Sequence, residues 1–143
     1  HREAQILEKA LGMAAKVNNE QRLKLISGYR LSGGMGQYFR KTTSVNLGLS
    51  QFGLPYSSIL TLVDAGIIHS SEFETGLLNH KTPIQFSVQG TQMKLTPKSG
   101  NLLFSYYRLT PIGDELAQLV LPKPDQEYLK ALQLLFAKDF KIE

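Results

Sequence analysis

The chain has 143 residues, of which 42% are hydrophobic, so it is long enough to bury a core without disulfides or metal ions. It contains no cysteine, which excludes disulfide bonds and thiolate chemistry, and no apolar run approaches the roughly 20 residues that span a bilayer. Its net charge of +4 is unevenly placed, since residues 1–41 hold eight Lys or Arg and three Glu, whereas residues 42–80 hold three acidic residues and no Lys or Arg. An anionic partner would therefore be expected at residues 1–41.

Length predicts one domain over residues 1–143. The chain begins His1-Arg2-Glu3, without a methionine or a signal peptide, so we expect a fragment of a longer protein. The lack of cysteine favours a reducing compartment and hence a cytoplasmic location. Within the domain we expect a basic helical lead-in at 1–41, a core at 44–121 and a C-terminal helix within 125–143.

The N-terminal third is predicted to be helical. Apolar residues recur at helical spacing over Arg2–Val17, and Asn19–Ser27 follows as a second helix that ends at Gly28. Ser44–Phe52 fits both the alternation of a strand and one face of a helix, and we favour a short helix.

The middle of the chain combines one helix with a hairpin. Pro55 is expected to open a helix that Gly66 closes, and the polar stretch His69–His80 is expected to be mostly loop. Pro83–Val88 and Thr91–Leu95 alternate as two strands joined by a tight turn at Gln89-Gly90.

The last part begins with a strand that runs into a capped helix. Leu102–Leu109 suits a third strand, Thr110 is a preferred N-cap, and Pro111 fits the first helical position. Gly113 is unfavourable in a helix, which suggests that a close backbone approach requires it. The apolar residues of this helix share one face, so Leu116 is expected in the core. Asp125 is predicted to cap a final helix over Gln126–Ala137.

Two motifs carry a resemblance to known families. Leu62–Ile68 (LVDAGII) is similar to the L-x-x-x-G-L-I ending of winged-helix recognition helices, and Arg108–Leu116 (RLTPIGDEL) resembles their LTPxGxEL phrase. Their order and spacing over residues 54–135 also resemble the C-terminal part of an uncharacterised bacterial domain-of-unknown-function family. The resemblance implies an α+β, mostly helical fold, in which a winged-helix-like unit with a short antiparallel β-ribbon lies between N- and C-terminal helices. It implies no activity.

The predicted function is that of a non-catalytic protein-interaction or oligomerisation module. We expect no enzymatic activity, cofactor, metal, membrane contact or small-molecule substrate, because no catalytic or metal-ligand motif is present. Self-association or a protein partner is favoured. The alternative is winged-helix nucleic-acid binding, mainly through backbone contacts. Its candidate contacts are Arg30, Arg40, Lys41, Lys94 and Lys98, and its candidate recognition-helix face is Tyr56, Ser57, Ser58 and Thr61.

Overall fold

The computed structural model describes residues 2–33, 42–120 and 123–143. Runs of strands are separated by single helices or by a pair of helices along the chain. The helices are α1 (Arg2–Gly12), α2 (Tyr56–Asp64), α3 (Pro111–Val120) and α4 (Gln126–Phe136), with a 3₁₀ turn at Leu49–Phe52. The strands are β1 (Ala15–Val17), β2 (Lys24–Ser32), β3 (Thr42–Asn46), β4 (Ile68–Glu74), β5 (Ile84–Val88), β6 (Thr91–Pro97), β7 (Leu102–Leu109) and β8 (Phe140–Ile142).

All eight strands join one antiparallel sheet. Its order is β4-β7-β2-β1-β5-β6-β8, with β3 also paired to β2. The two halves of the sheet meet where Ala15 of β1 lies opposite Lys24 of β2. Phe86 of β5 and Phe104 of β7 come from different halves, yet their ring centroids are 6.3 Å apart. The sheet is therefore bent, and its two halves face each other across a shared core.

Helix α4 fills the space between the two halves. The ring of Phe136 lies 5.2 to 5.9 Å, centroid to centroid, from the rings of Tyr29, Phe86, Phe104 and Phe140. All five side chains are buried. This aromatic cluster joins strands from both halves to α4, and such side chains contribute most of the apolar area in a core.

Two hydrogen bonds fix α4 to the central strand. The Tyr128 hydroxyl donates to the Ile26 carbonyl of β2 at 2.9 Å. The Tyr29 hydroxyl donates to the Asp139 carboxylate, just after α4, at 2.6 Å. Burial raises the pKa of both tyrosines, with a further contribution from a nearby carboxylate. Both hydroxyls are therefore donors over the ordinary pH range.

The expectation of an α+β fold is confirmed, but the expectation of a mostly helical one is wrong, because an eight-stranded sheet is the largest element. The predicted second helix, Asn19–Ser27, is wrong, because its last four residues form the start of strand β2 and the residues before them are not helical. Every residue of β2 from Lys24 to Tyr29 is buried. A strand buried on both faces lacks alternation, so its sequence cannot be told from a helix by period alone.

Three further predictions were wrong in part. Helix α1 ends at Gly12 and the chain then forms β1, so the predicted helix to Val17 is too long. In Ser44–Phe52, strand β3 ends at Asn46 and the 3₁₀ turn begins at Leu49. The strand interpretation therefore holds for the first part of the stretch and the favoured helical one for the last part. The predicted loop His69–His80 contains most of β4, a mostly exposed strand that has β7 as its one partner among the described strands, which explains its polar sequence.

The β5–β6 hairpin is confirmed, with Gln89 and Gly90 both in the left-handed region, as a tight type I′ turn requires. Strand β7 is confirmed as an element but not as the third strand of a ribbon. It pairs with β2 and β4 instead, for example Leu31 opposite Leu102. The expected winged-helix-like unit is therefore not what the chain forms, since the ribbon belongs to a larger sheet.

The local signals around α3 are confirmed. The Thr110 hydroxyl accepts the backbone N–H of Gly113 at 3.1 Å and itself donates to the Gly66 carbonyl. A Cβ atom on Gly113 would lie 2.3 Å from the Ile67 carbonyl oxygen. The predicted close backbone approach is therefore real, and it sets α3 directly against the turn that follows α2.

Candidate functional site

The structure does not gather the predicted nucleic-acid contacts into one patch. The Arg30 guanidinium lies 2.8 Å from the Glu74 carboxylate and 3.7 Å from that of Glu72. The Lys98 ammonium donates to the Ala137 carbonyl at 3.2 Å, at the end of α4. Lys94 is exposed on β6. Arg30 and Lys98 therefore already make contacts within the domain.

The two remaining candidate contacts, Arg40 and Lys41, lie outside the described residues.

The predicted recognition face on α2 is only partly exposed. Tyr56 is 69% exposed and Ser57 is also on the surface. Ser58, predicted on the same face, is 4% exposed, so its placement there was wrong. The Thr61 hydroxyl donates to the Ser57 carbonyl one turn earlier, at 3.0 Å. The face therefore offers one tyrosine and little hydrogen-bonding capacity for reading bases.

A polar cleft of about 340 Å³ lies between the start of α2 and strands β2, β3, β4 and β7. Its polar lining consists of Ser27, Arg30, Ser44, Asn46, Tyr56, Glu72 and Tyr107. Ser27 stands at a β-bulge in β2, where the register with β7 shifts between Ile26 and Gly28. Bulges commonly re-aim a side chain at a site.

The charged groups of this cleft are mutually engaged. The Ser27 hydroxyl donates to the Glu72 carboxylate at 2.7 Å, and Arg30 pairs with Glu72 and Glu74. Since β7 lies between β2 and β4, these contacts span β7 and tie the edge strand to the centre of the sheet. Burial, then the charge of Glu72, then Tyr56 raise the pKa of Tyr107, which keeps its hydroxyl protonated.

The cleft can hold a small polar ligand but its geometry fits a structural role equally well. The Arg30 Nε–H is buried and has no hydrogen-bond partner within residues 2–33, 42–120 and 123–143. Sequence reasoning missed Ser27, Glu72 and Tyr107. The one available signal was Glu72 and Glu74 at a spacing of two, which places both carboxylates on one side of a strand.

An apolar stripe on α3 is the second notable surface. Ile112 is 57% exposed, Leu119 77% and Val120 40%. The buried residues of this helix are Gly113 and Ala117, and Leu116 is only partly buried. The expectation that Leu116 belongs to the core is therefore only partly met. Gly113 and Ala117 form the contact face of α3, and the large apolar residues flank it, with Leu116 packed partly against the core and the others exposed.

The fold defines an α+β domain built on a bent antiparallel sheet. Residues 1–133 match the family described as "Protein of unknown function (DUF2806)", and the chain belongs to that family. The expected membership of an uncharacterised domain family is thereby confirmed, whereas the winged-helix resemblance is not. No curated protein and no solved structure matches the chain.

Two features are absent from the described segments. No helix in them is both long and apolar enough to cross a bilayer. No three His, Asp or Glu side chains in those segments lie together in a way that could hold a metal ion.

Proposed function

We propose that this domain is a non-catalytic interaction module that associates with a second copy of itself through α3. The observation that carries the proposal is the exposure of the apolar stripe, with Leu119 77% and Ile112 57% exposed. Large apolar side chains that lie next to one another on a surface favour association, because contact removes them from water.

The spacing of the stripe suits pairing between helices. Ile112 and Leu119 lie two turns apart on one face of α3, and Leu116 lies between them, where it packs partly against the core. The neighbouring face is fixed to the domain through Gly113, which packs on the Ile67 carbonyl. The exposed side chains of the stripe, Ile112, Leu119 and Val120, are therefore available to a partner.

The dipole of α3 favours a second copy in antiparallel orientation. A two-fold arrangement of two copies would oppose the two helix dipoles. A ten-residue helix buries a small area, so we expect weak association in the micromolar to millimolar range.

Sedimentation velocity over protein concentrations from about 1 µM to about 1 mM tests this proposal. We expect a concentration-dependent monomer–dimer equilibrium that Leu119→Glu abolishes. Leu134→Glu is the matched control, since Leu134 is 74% exposed on α4 and lies outside the stripe. A monomer at every concentration, or equal effects of the two variants, would contradict the proposal.

Nucleic-acid binding remains a prediction with weaker support. Arg30 and Lys98 are engaged within the domain, and α2 carries no Lys, Arg, Asn or Gln to read base edges. Any binding would have to use cations elsewhere, and its affinity would fall steeply with salt.

A further inference from the structure

The polar cleft beside α2 lies on the face of the sheet that is turned away from the aromatic cluster. Arg30 of β2 lies opposite Ser44 of β3, Tyr107 of β7 lies opposite Glu72 of β4, and all four line the cleft. Residues directly opposite each other in neighbouring strands share one face. Tyr29, which precedes Arg30, points to the other face and is buried in the aromatic cluster. Four adjacent strands therefore bring polar side chains to one surface.

The lining of the cleft carries no net charge in the segments that the structure describes. Its charged members there are Arg30 and Glu72, whose side chains lie 3.7 Å apart. Glu74, on the same edge strand, accepts a second guanidinium N–H of Arg30 at 2.8 Å. An anion would therefore meet a cation that two carboxylates already neutralise. A neutral ligand fits this balance of charge better than an anion does.

The Arg30 guanidinium supplies the observation that points to a ligand. Its terminal N–H groups face Glu72 and Glu74, whereas its Nε–H is buried and has no hydrogen-bond partner within the described part of the chain. A buried donor without a partner lowers stability, so folded proteins contain few of them. The Arg30 side chain is 32% exposed, so a small rotation would bring this N–H to a ligand oxygen in the cleft. A purely structural ion pair gives no account of the unpaired donor.

The other polar groups of the cleft can both donate and accept hydrogen bonds. They are the Ser44 hydroxyl, the Asn46 amide and the Tyr107 hydroxyl. Burial, followed by the charge of Glu72, raises the pKa of Tyr107, so its hydroxyl keeps its proton and can donate. The Glu72 carboxylate can only accept. Hydroxyl groups match this mixture, because each one donates one hydrogen bond and accepts others.

An aromatic ring and an apolar wall complete the cleft. Tyr56, at the start of α2, lines the cleft and is 69% exposed. Leu49, Leu54 and Ile59 are buried behind it and line the same side. An exposed aromatic ring offers an apolar face to the C–H groups of a ligand. The volume of about 340 Å³ lies near the lower end of the range for small-molecule pockets.

We propose that this cleft binds a neutral sugar of one or two rings. Adjacent sugar hydroxyls would accept from the Arg30 guanidinium and donate to the Glu72 carboxylate, while the C–H face of the ring packs on Tyr56. Such a ligand departs from the expectation that the domain takes no small molecule. The proposal is independent of self-association, because no residue of α3 lines the cleft.

Heteronuclear NMR titration tests the proposal with glucose, galactose, mannose, N-acetylglucosamine and maltose as probes. We expect at least one of these sugars to shift the amide resonances of Ser27, Asn46 and Tyr107 with saturation in the millimolar range. Glucuronate and galacturonate, which carry a carboxylate, should bind more weakly than the neutral sugars, because the cleft has no free cation to pair with them.

Two variants and two matched controls assign the binding to the cleft. Arg30→Lys keeps the positive charge but removes the Nε–H and the planar fork, and should weaken sugar binding about tenfold. Arg108→Lys is its control, because Arg108 is exposed on β7 and does not line the cleft. Tyr56→Ala should weaken binding about tenfold by removing the ring. Leu60→Ala is its control, because Leu60 is 45% exposed on the same helix and lies outside the cleft.

Both controls should leave the affinity within about twofold of the native value. Tyr56 is exposed, so Tyr56→Ala keeps the test valid if Arg30→Lys disturbs the pairing of β4. The absence of saturable shifts with all five sugars, or equal losses in the variants and the controls, would overturn the proposal. Tighter binding of a blocked dipeptide than of any sugar, lost in the same variants, would also overturn it and assign the cleft to a peptide.

Discussion

Helices α3 and α4 share two local sequence signals, an N-cap and an apolar stripe, but bury different kinds of residue. Each begins with a side-chain cap, Thr110 for α3 and Asp125 for α4, and each carries an apolar stripe at helical spacing. Helix α4 buries its large residues, including Tyr128 and Phe136. Helix α3 buries Gly113 and Ala117 and exposes its large residues.

The difference comes from what each helix meets. Helix α4 lies over the concave side of a bent sheet, where aromatic rings are needed to fill the space. Helix α3 meets a backbone carbonyl, that of Ile67, at a distance that only a glycine allows. An amphipathic pattern therefore predicts a helix reliably, but which face becomes buried depends on whether the neighbouring surface requires large or small side chains.

The largest expected effect is the difference in stability between truncating a large residue of α4 and truncating a large residue of α3. Phe136→Ala should reduce the free energy of unfolding by about 3–5 kcal/mol, because it leaves a cavity among four other rings. Leu119→Ala should change it by less than about 0.5 kcal/mol, because the side chain is exposed. Urea denaturation of both variants measures the contrast, and similar losses would show that the stripe of α3 is not free.

The second prediction concerns the contact face of α3. Gly113→Ala should destabilise the domain by about 1–3 kcal/mol, because the new methyl group would meet the Ile67 carbonyl oxygen. Helix propensity alone predicts the opposite sign, since alanine is favoured over glycine by about 1 kcal/mol.

Thermal unfolding shows whether Gly113→Ala lowers or raises the stability of the domain. Gly76→Ala is the control for glycine replacement as such, because a Cβ there meets no atom within 4 Å and its φ is not in the left-handed region. A stabilised Gly113→Ala variant would mean that α3 can move away from the turn.

The smallest predicted effect concerns pH and the anchor of α4. Burial, followed by the charge of Asp125, raises the pKa of Tyr128 above its ordinary value near 10. Its stabilising contribution is therefore complete below pH 10. It decreases as the pH rises further, by roughly 1 kcal/mol per pH unit, because only the unfolded chain ionises.

Tyr128→Phe should lower stability at neutral pH and flatten the decline above pH 10. Guanidinium denaturation at pH 8, 10 and 11 measures both. Tyr56→Phe removes a hydroxyl from an exposed side chain and should change the pH dependence of the free energy of unfolding much less than Tyr128→Phe does. Equal effects of the two variants would place the Tyr128 hydroxyl in water.

The sequence determined what could be read from neighbouring residues. Thr110 and Pro111 predicted the start of α3, Gln89-Gly90 predicted the hairpin turn, and Asp125 predicted the start of α4. Each signal depends on one backbone conformation or one hydrogen bond within a few residues, so no knowledge of the rest of the chain was required. Even the close approach at Gly113 could be inferred, because a glycine inside a helix has a cost that needs a reason.

Only the tertiary structure decided which strands pair in the sheet and which apolar surfaces stay exposed. The segment Lys24–Ser32 forms strand β2 because β7, some 70 residues or more away along the chain, pairs with it. Most of β2 is buried on both faces, so its sequence lacks the alternation of polar and apolar residues that predicts a strand. The exposed stripe on α3 likewise depends on which elements meet. Burial and pairing are properties of distant contacts, and periodicity within a segment carries no information about the partner that will cover it.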